Sequence, residues 1–199
     1  MGCLKNLTRS IFLTILIVGF WAFGGQTWIK EKINNIMHPT HDSILQRAQK
    51  VGDFSTINKE FEIEKAAGLL GHNAVLAEHK ASGQKMLVVD SAKKPIISQD
   101  DIKAPDAEER IKNAINKFKY QNAAIEDFHI TERGVMKSYG KEIPYVKFSA
   151  RVKKLPIGEI SGIISVVKDD KGNDKILVSA NRGDKYSQLI SNEFFKEIK

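Results

Sequence analysis

The stretch from Ile143 to Lys154 constrains the fold more than any other. Val146, Phe148, Ala150 and Val152 fall at every second position, with Tyr145, Lys147, Ser149, Arg151 and Lys153 between them. A period of two puts the first set on one face of a strand and the second on the other. The first set is expected in the core. The second forms a cationic face with one aromatic, Tyr145. The strand has comparable neighbours. Phe128 to Lys137 precedes it across Ser138-Tyr139-Gly140-Lys141, where Gly140 can take positive φ. In that earlier strand the alternation slips near Gly134, which predicts a β-bulge there. After the Leu155-Pro156-Ile157-Gly158 turn, Glu159 to Lys168 is apolar at Ile160, Ile164 and Val166 on one face and at Ile163 and Val167 on the other. Such a strand is covered on both sides and belongs inside the sheet. Asp169 to Asp174 makes a polar turn, and Lys175 to Asn181 returns. Short connections favour antiparallel neighbours, so the spacing predicts a four-stranded meander.

Upstream, Phe61 and Ile63 mark a short strand, Ala74 to Lys80 a second, and Lys85 to Asp90 a third. A polar connector with Pro95 and Pro105 follows. Asp106 then opens a helix over 107–120, with Glu108 and Glu109 where the helix dipole favours acids and Ile111, Ala114, Ile115 and Phe118 as its buried stripe. Residues 186–198 form a last helix. The fold class is α+β: an antiparallel sheet packed between helices over 54–199, preceded by an N-terminal hydrophobic helix (1–28) and a helical stalk or linker (29–53).

The N-terminus reads as an export element. Lys5 and Arg9 precede an apolar run of Ile11, Phe12, Leu13, Ile15, Leu16, Ile17, Val18, Phe20, Trp21 and Phe23. No charge falls between Ile11 and Trp28, a length at the low end for spanning a bilayer, and Trp21 and Trp28 suit its interfaces. The expectation is a signal anchor: a single-pass membrane protein with its C-terminal domain outside the cytoplasm. The alternative is a signal peptide cleaved near Gly24, which would release the domain to the periplasm or medium. Trp28, Ile29, Ile33, Ile36 and Met37 have helical spacing, Pro39 ends that helix, and 44–50 forms a second short one.

The one cysteine, Cys3, precedes the apolar run, so the folded part needs no disulfide and has no thiol chemistry. Net charge is +7, two of it from Lys5 and Arg9. That is compatible with an acidic protein, an acidic polymer or a lipid head group as partner. Export disfavours nucleic acid.

No motif for catalysis, cofactor or metal stands out. His38 and His41 flank Pro39 and cannot share a regular helix face, and zinc needs three or four convergent ligands. Asp169-Asp170-Lys171-Gly172-Asn173-Asp174 lacks the oxygen spacing of an EF-hand and reads as a hairpin turn. No Ser and His can be placed together. The surface left for a functional hypothesis is Lys147, Arg151 and Lys153 with Tyr145, an anion-binding face.

The element order, together with Tyr145 in the strand after a Gly turn and the closing Tyr186…Phe194-Phe195 helix, resembles the PsbP/Mog1-like fold over about residues 61–199. The resemblance implies a sheet packed between helices. It also implies a non-enzymatic accessory protein that binds or helps assemble a larger complex. A carrier or enzyme with a pocket between sheet and helix is the rival expectation.

Overall fold

The computed structural model describes residues 41–69, 72–90, 96–116, 125–152, 158–170 and 172–199. The apolar run from Ile11 to Phe23, the first stalk helix, His38, Lys153 and the Leu155-Pro156 turn lie outside the described residues. No described helix is long and apolar enough to cross a membrane.

The chain forms α1 (His41–Ala48), β1 (Phe61–Leu69), β2 (His72–His79), β3 (Lys85–Asp90), α2 (Gln99–Lys103), α3 (Ala107–Asn116), β4 (Ile125–Ser138), β5 (Lys141–Val152), β6 (Glu159–Lys168), β7 (Asp174–Arg182) and α4 (Gln188–Glu197). The strands make one antiparallel sheet in the order β1-β2-β3-β7-β6-β5-β4. Two meanders, β1–β3 and β4–β7, therefore meet where β3 pairs with β7. The strand expected inside the sheet, β6, lies between β7 and β5, with no residue from Ile163 to Val167 more than 5% exposed.

Alternation gives the sheet two apolar faces. On the first, Leu87, Val178, Ile164 and Val146 stand opposite one another across β3, β7, β6 and β5. They join Phe128 and Phe148, which stack at 5.4 Å, beneath Ile102 of α2 and Ile111 of α3. On the second, Val75, Val88 and Leu177 pack with Ala48 and Val51 at the end of α1 and with Phe194, Phe195 and Ile198 of the C-terminal helix. Burying a side chain of this size is worth about 1.5–3 kcal/mol, so both layers contribute substantially.

Within the expected stalk or linker over 29–53, the described part packs on the domain: Ala48 and Val51 are each 1% exposed and belong to the second core. Two expectations change. The connector before Asp106 contains α2, opened by a capping box in which Ser98 Oγ accepts from Asp101 N and the Asp101 side chain accepts from Ser98 N. The Ser98–Asp101 spacing carries that signal in the sequence. The register slips near Asp127 and Thr131, not at Gly134. Gly134 has another use. It stands opposite Tyr145, and a Cβ there would lie 2.5 Å from the Tyr145 hydroxyl. Glycine at this position is a seat for an aromatic ring. The β4–β5 turn does use positive φ, at Tyr139 (50°) and Gly140 (69°), as a two-residue hairpin of the primed type requires.

Candidate partner-binding face

The second face of the sheet changes character along its length. The row of Val75, Val88, Leu177, Ser165, Tyr145 and Gly134 is roofed by helices. The next row, Ala77, Met86, Ser179, Ile163, Lys147 and Glu132, is buried until it reaches Lys147. The row after that is polar: Asn181, Ser161, Ser149 and His129. The candidate site is the open corner of these rows on β4 and β5.

Tyr145 is not on the open surface. It is 7% exposed, and its hydroxyl donates to Glu132 Oε1 at 2.9 Å. Burial first, then that hydrogen bond and the Glu132 charge, push its pKa up. The alternation was right about which residues share its face. It carried no information about the helix that covers Tyr145 and leaves Lys147 half out. Lys147 Nζ lies 3.6 Å from Glu132 Oε2 and 5.9 Å from the Tyr186 ring centroid. Arg151 is exposed, with its guanidinium 3.6 Å from Asp127 Oδ2. The face is thus an alternating-charge strip rather than a bare cationic one, because β4 sets an acid beside each of these two cations. Lys153 lies outside the described residues. On the outer edge of the strip, Glu108 of α3 accepts the Ile130 N–H at 2.8 Å and approaches His129 Nδ1 at 3.5 Å. That contact occupies one backbone donor of β4, the last strand in the sheet order.

The inner border of the strip is held by a buried polar network. The Gln84 side chain is fully buried. Its Nε2 has Ser179 Oγ, Ser187 O and Ser191 Oγ each at 2.9 Å, and its Oε1 accepts from Ser187 N at 2.8 Å. Ser187 is the N-cap of α4, and Ser191 Oγ also donates to Tyr186 Oη at 3.1 Å. This network fixes where α4 begins and so how far it covers the sheet. Burial raises the pKa of Tyr186, which keeps its hydroxyl protonated. At the other end of the helix, Asp53 N donates to Lys199 O and Tyr139 N to Ile198 O.

The fold also joins groups that the sequence did not. Ser82 Oγ lies 2.9 Å from His79 Nδ1, with Glu60 Oε2 3.6 Å from Nε2. The bonding makes this a hairpin lock: Ser82 N–H also donates to Nδ1, and Gln84 N–H donates to Ser82 Oγ. The hydroxyl and imidazole are engaged with the turn itself. Buried Lys85 bridges Glu64 and Glu78 across β1–β3. Burial, reinforced by the Glu78 contact, pushes Glu64 up. Lys175 is likewise buried, donating to Val51 O and lying within 4 Å of Asp90 and Asp169. The 169–174 segment closes as a hairpin, Asp169 Oδ1 accepting from Asn173 N at 2.8 Å. Among the described residues no group of three or more His, Cys, Asp or Glu could hold a metal ion.

The sequence matches no protein-family model and no curated protein.

Proposed function

We propose that this is a membrane-tethered accessory protein whose folded domain lies outside the cytoplasm and holds another macromolecule through the open β4–β5 strip. The observation that carries the reading is the apolar core that the described residues form on each face of the sheet. A carrier or an enzyme of small molecules uses a deep concave site between such layers. A domain packed on both faces offers its surface. The strip is bordered by a helix whose start is fixed by four hydrogen-bonded groups around Gln84, so its shape is preset. The anchor over 1–28, the stalk or linker over 29–53 and the resemblance to the PsbP/Mog1-like fold are parts of the same proposal, supported by the apolar run and the element order.

A pull-down from native membranes tests it, wild type against Lys147→Glu with Arg151→Glu, at low and high salt. A partner should be captured by the wild type, weaken as the screening length falls from about 10 Å at 0.1 M to about 3 Å at 1 M, and be lost in the variant. The same captured proteins in every lane would remove the strip from the function. Location is tested on the same strain. With Cys3→Ser, an exposed Lys80→Cys should react with a membrane-impermeant maleimide on intact spheroplasts, and protection until lysis would overturn export.

A further inference from the structure

We propose that the partner adds a strand to the sheet along β4 from Glu132 to Lys137, through an extended segment in which an apolar residue is flanked on each side by an acid. This names how the partner of the preceding reading is gripped, and it rests on that reading. β4 is the last strand in the sheet order, and its two halves differ. The first half carries devices that keep an edge from pairing. The register slips near Asp127 and Thr131, Asp127 has positive φ, and Glu108 takes the Ile130 N–H. From Glu132 to Ser138 the register against β5 runs without a slip. Ser138 and Lys141 close the two-residue turn, so Ser138 points its backbone groups at β5. Alternation then turns the N–H and C=O of Lys137, Val135 and Arg133 outward. Pro144, which has no N–H to give, stands opposite Val135, as this alternation allows. All three outward residues are exposed. Val135, at 65%, is the one exposed large apolar side chain on a strand among the described residues. Arg133 and Lys137 flank it. The Arg133 guanidinium donates to the carbonyls of Ile102, Ala104 and Pro105, which fix it beside the edge with its charge intact. Glu142, opposite Lys137, is one strand further in. A second copy pairing antiparallel about Val135 would set Arg133 against Lys137, and like charges directly opposed destabilise a ladder. A strand with acids at those two positions and an apolar residue opposite Val135 satisfies all three. Its main chain supplies affinity and its alternate side chains supply selection.

The test uses the full chain in detergent micelles with short synthetic peptides at millimolar concentration. One peptide has a central valine, an aspartate two residues away on each side, and threonines between. The control carries lysines in place of the aspartates. The acidic peptide should slow amide exchange at Arg133, Val135 and Lys137, and leave Gly134 and Met136, which face β5, unchanged. The basic peptide should not, nor should the acidic one when N-methylated at its valine. Val135→Pro removes an outward donor from the edge and should abolish the effect. Lys137→Glu keeps every donor and should weaken the acidic peptide several-fold. No slowing at these amides overturns the proposal, and equal slowing by both peptides overturns its acidic partner. The membrane pull-down, repeated with Val135→Pro, separates this proposal from the strip. A partner kept by that variant but lost with Lys147→Glu and Arg151→Glu overturns strand addition alone. One kept by both variants overturns the strip as well.

Discussion

The two faces of the sheet are sealed by different means. The first is closed by apolar periodicity: alternating residues on the strands meet the stripes of α2 and α3, and Phe128 stacks on Phe148. The second is closed by a helix that must start at one residue. Gln84 on the β2–β3 hairpin grips Ser187 and Ser191 from 103 and 107 positions away, and the last residues pair with Asp53 and Tyr139. The first face tolerates any apolar side chains of suitable volume. The second depends on named polar partners, because a buried polar group left unpaired costs about 1–3 kcal/mol.

That contrast can be broken most sharply on the first face. In a fragment spanning residues 41–199, Phe148→Ala should cost about 3–5 kcal/mol in a denaturant titration, as large-to-small changes of a buried ring do. A loss no larger than that of a surface residue would mean the stacked pair does not support the face. Gln84→Leu comes next. It keeps the volume but strands the Ser187 N–H, while the Ser187 carbonyl still accepts from Ser191, and should cost about 1–3 kcal/mol. Hydrogen exchange should localise the damage to α4. Uniform loosening of both faces would show that the network is not specific to the helix. Lys147→Ala is the smallest, within about 1 kcal/mol, since it removes only a half-exposed ion pair and a cation–ring contact. A larger loss would make Lys147 part of the seal rather than of the open strip.

The same contrast explains what was legible in the sequence. Strand identity, the interior place of β6 and the meander all follow from residues a few positions apart. Period two says which side chains share a face and is silent on what covers it. It therefore groups Tyr145 with Lys147, although only the second reaches solvent. Gly134 reads as a bulge because its role depends on Tyr145 in the next strand. The acids that pair with Lys147 and Arg151 are on β4, brought alongside by a register that slips twice. Of the candidate face, the cations were visible from alternation. Their neutralising partners and the helix bordering them were not.

The seam between β3 and β7 has a consequence for how the chain assembles. Gln84 and Ser179 are 95 residues apart. Loop closure over that distance costs only about 2 kcal/mol more than over ten residues, because the entropy grows with the logarithm of length. The seam is therefore inexpensive at equilibrium. It is demanding in time, since each meander can zip from its own tight turns while β3 must find β7 through diffusion of two partly built halves. Until it does, Leu87, Val88, Leu177 and Val178 belong to two open sheet edges, each able to pair with the wrong strand.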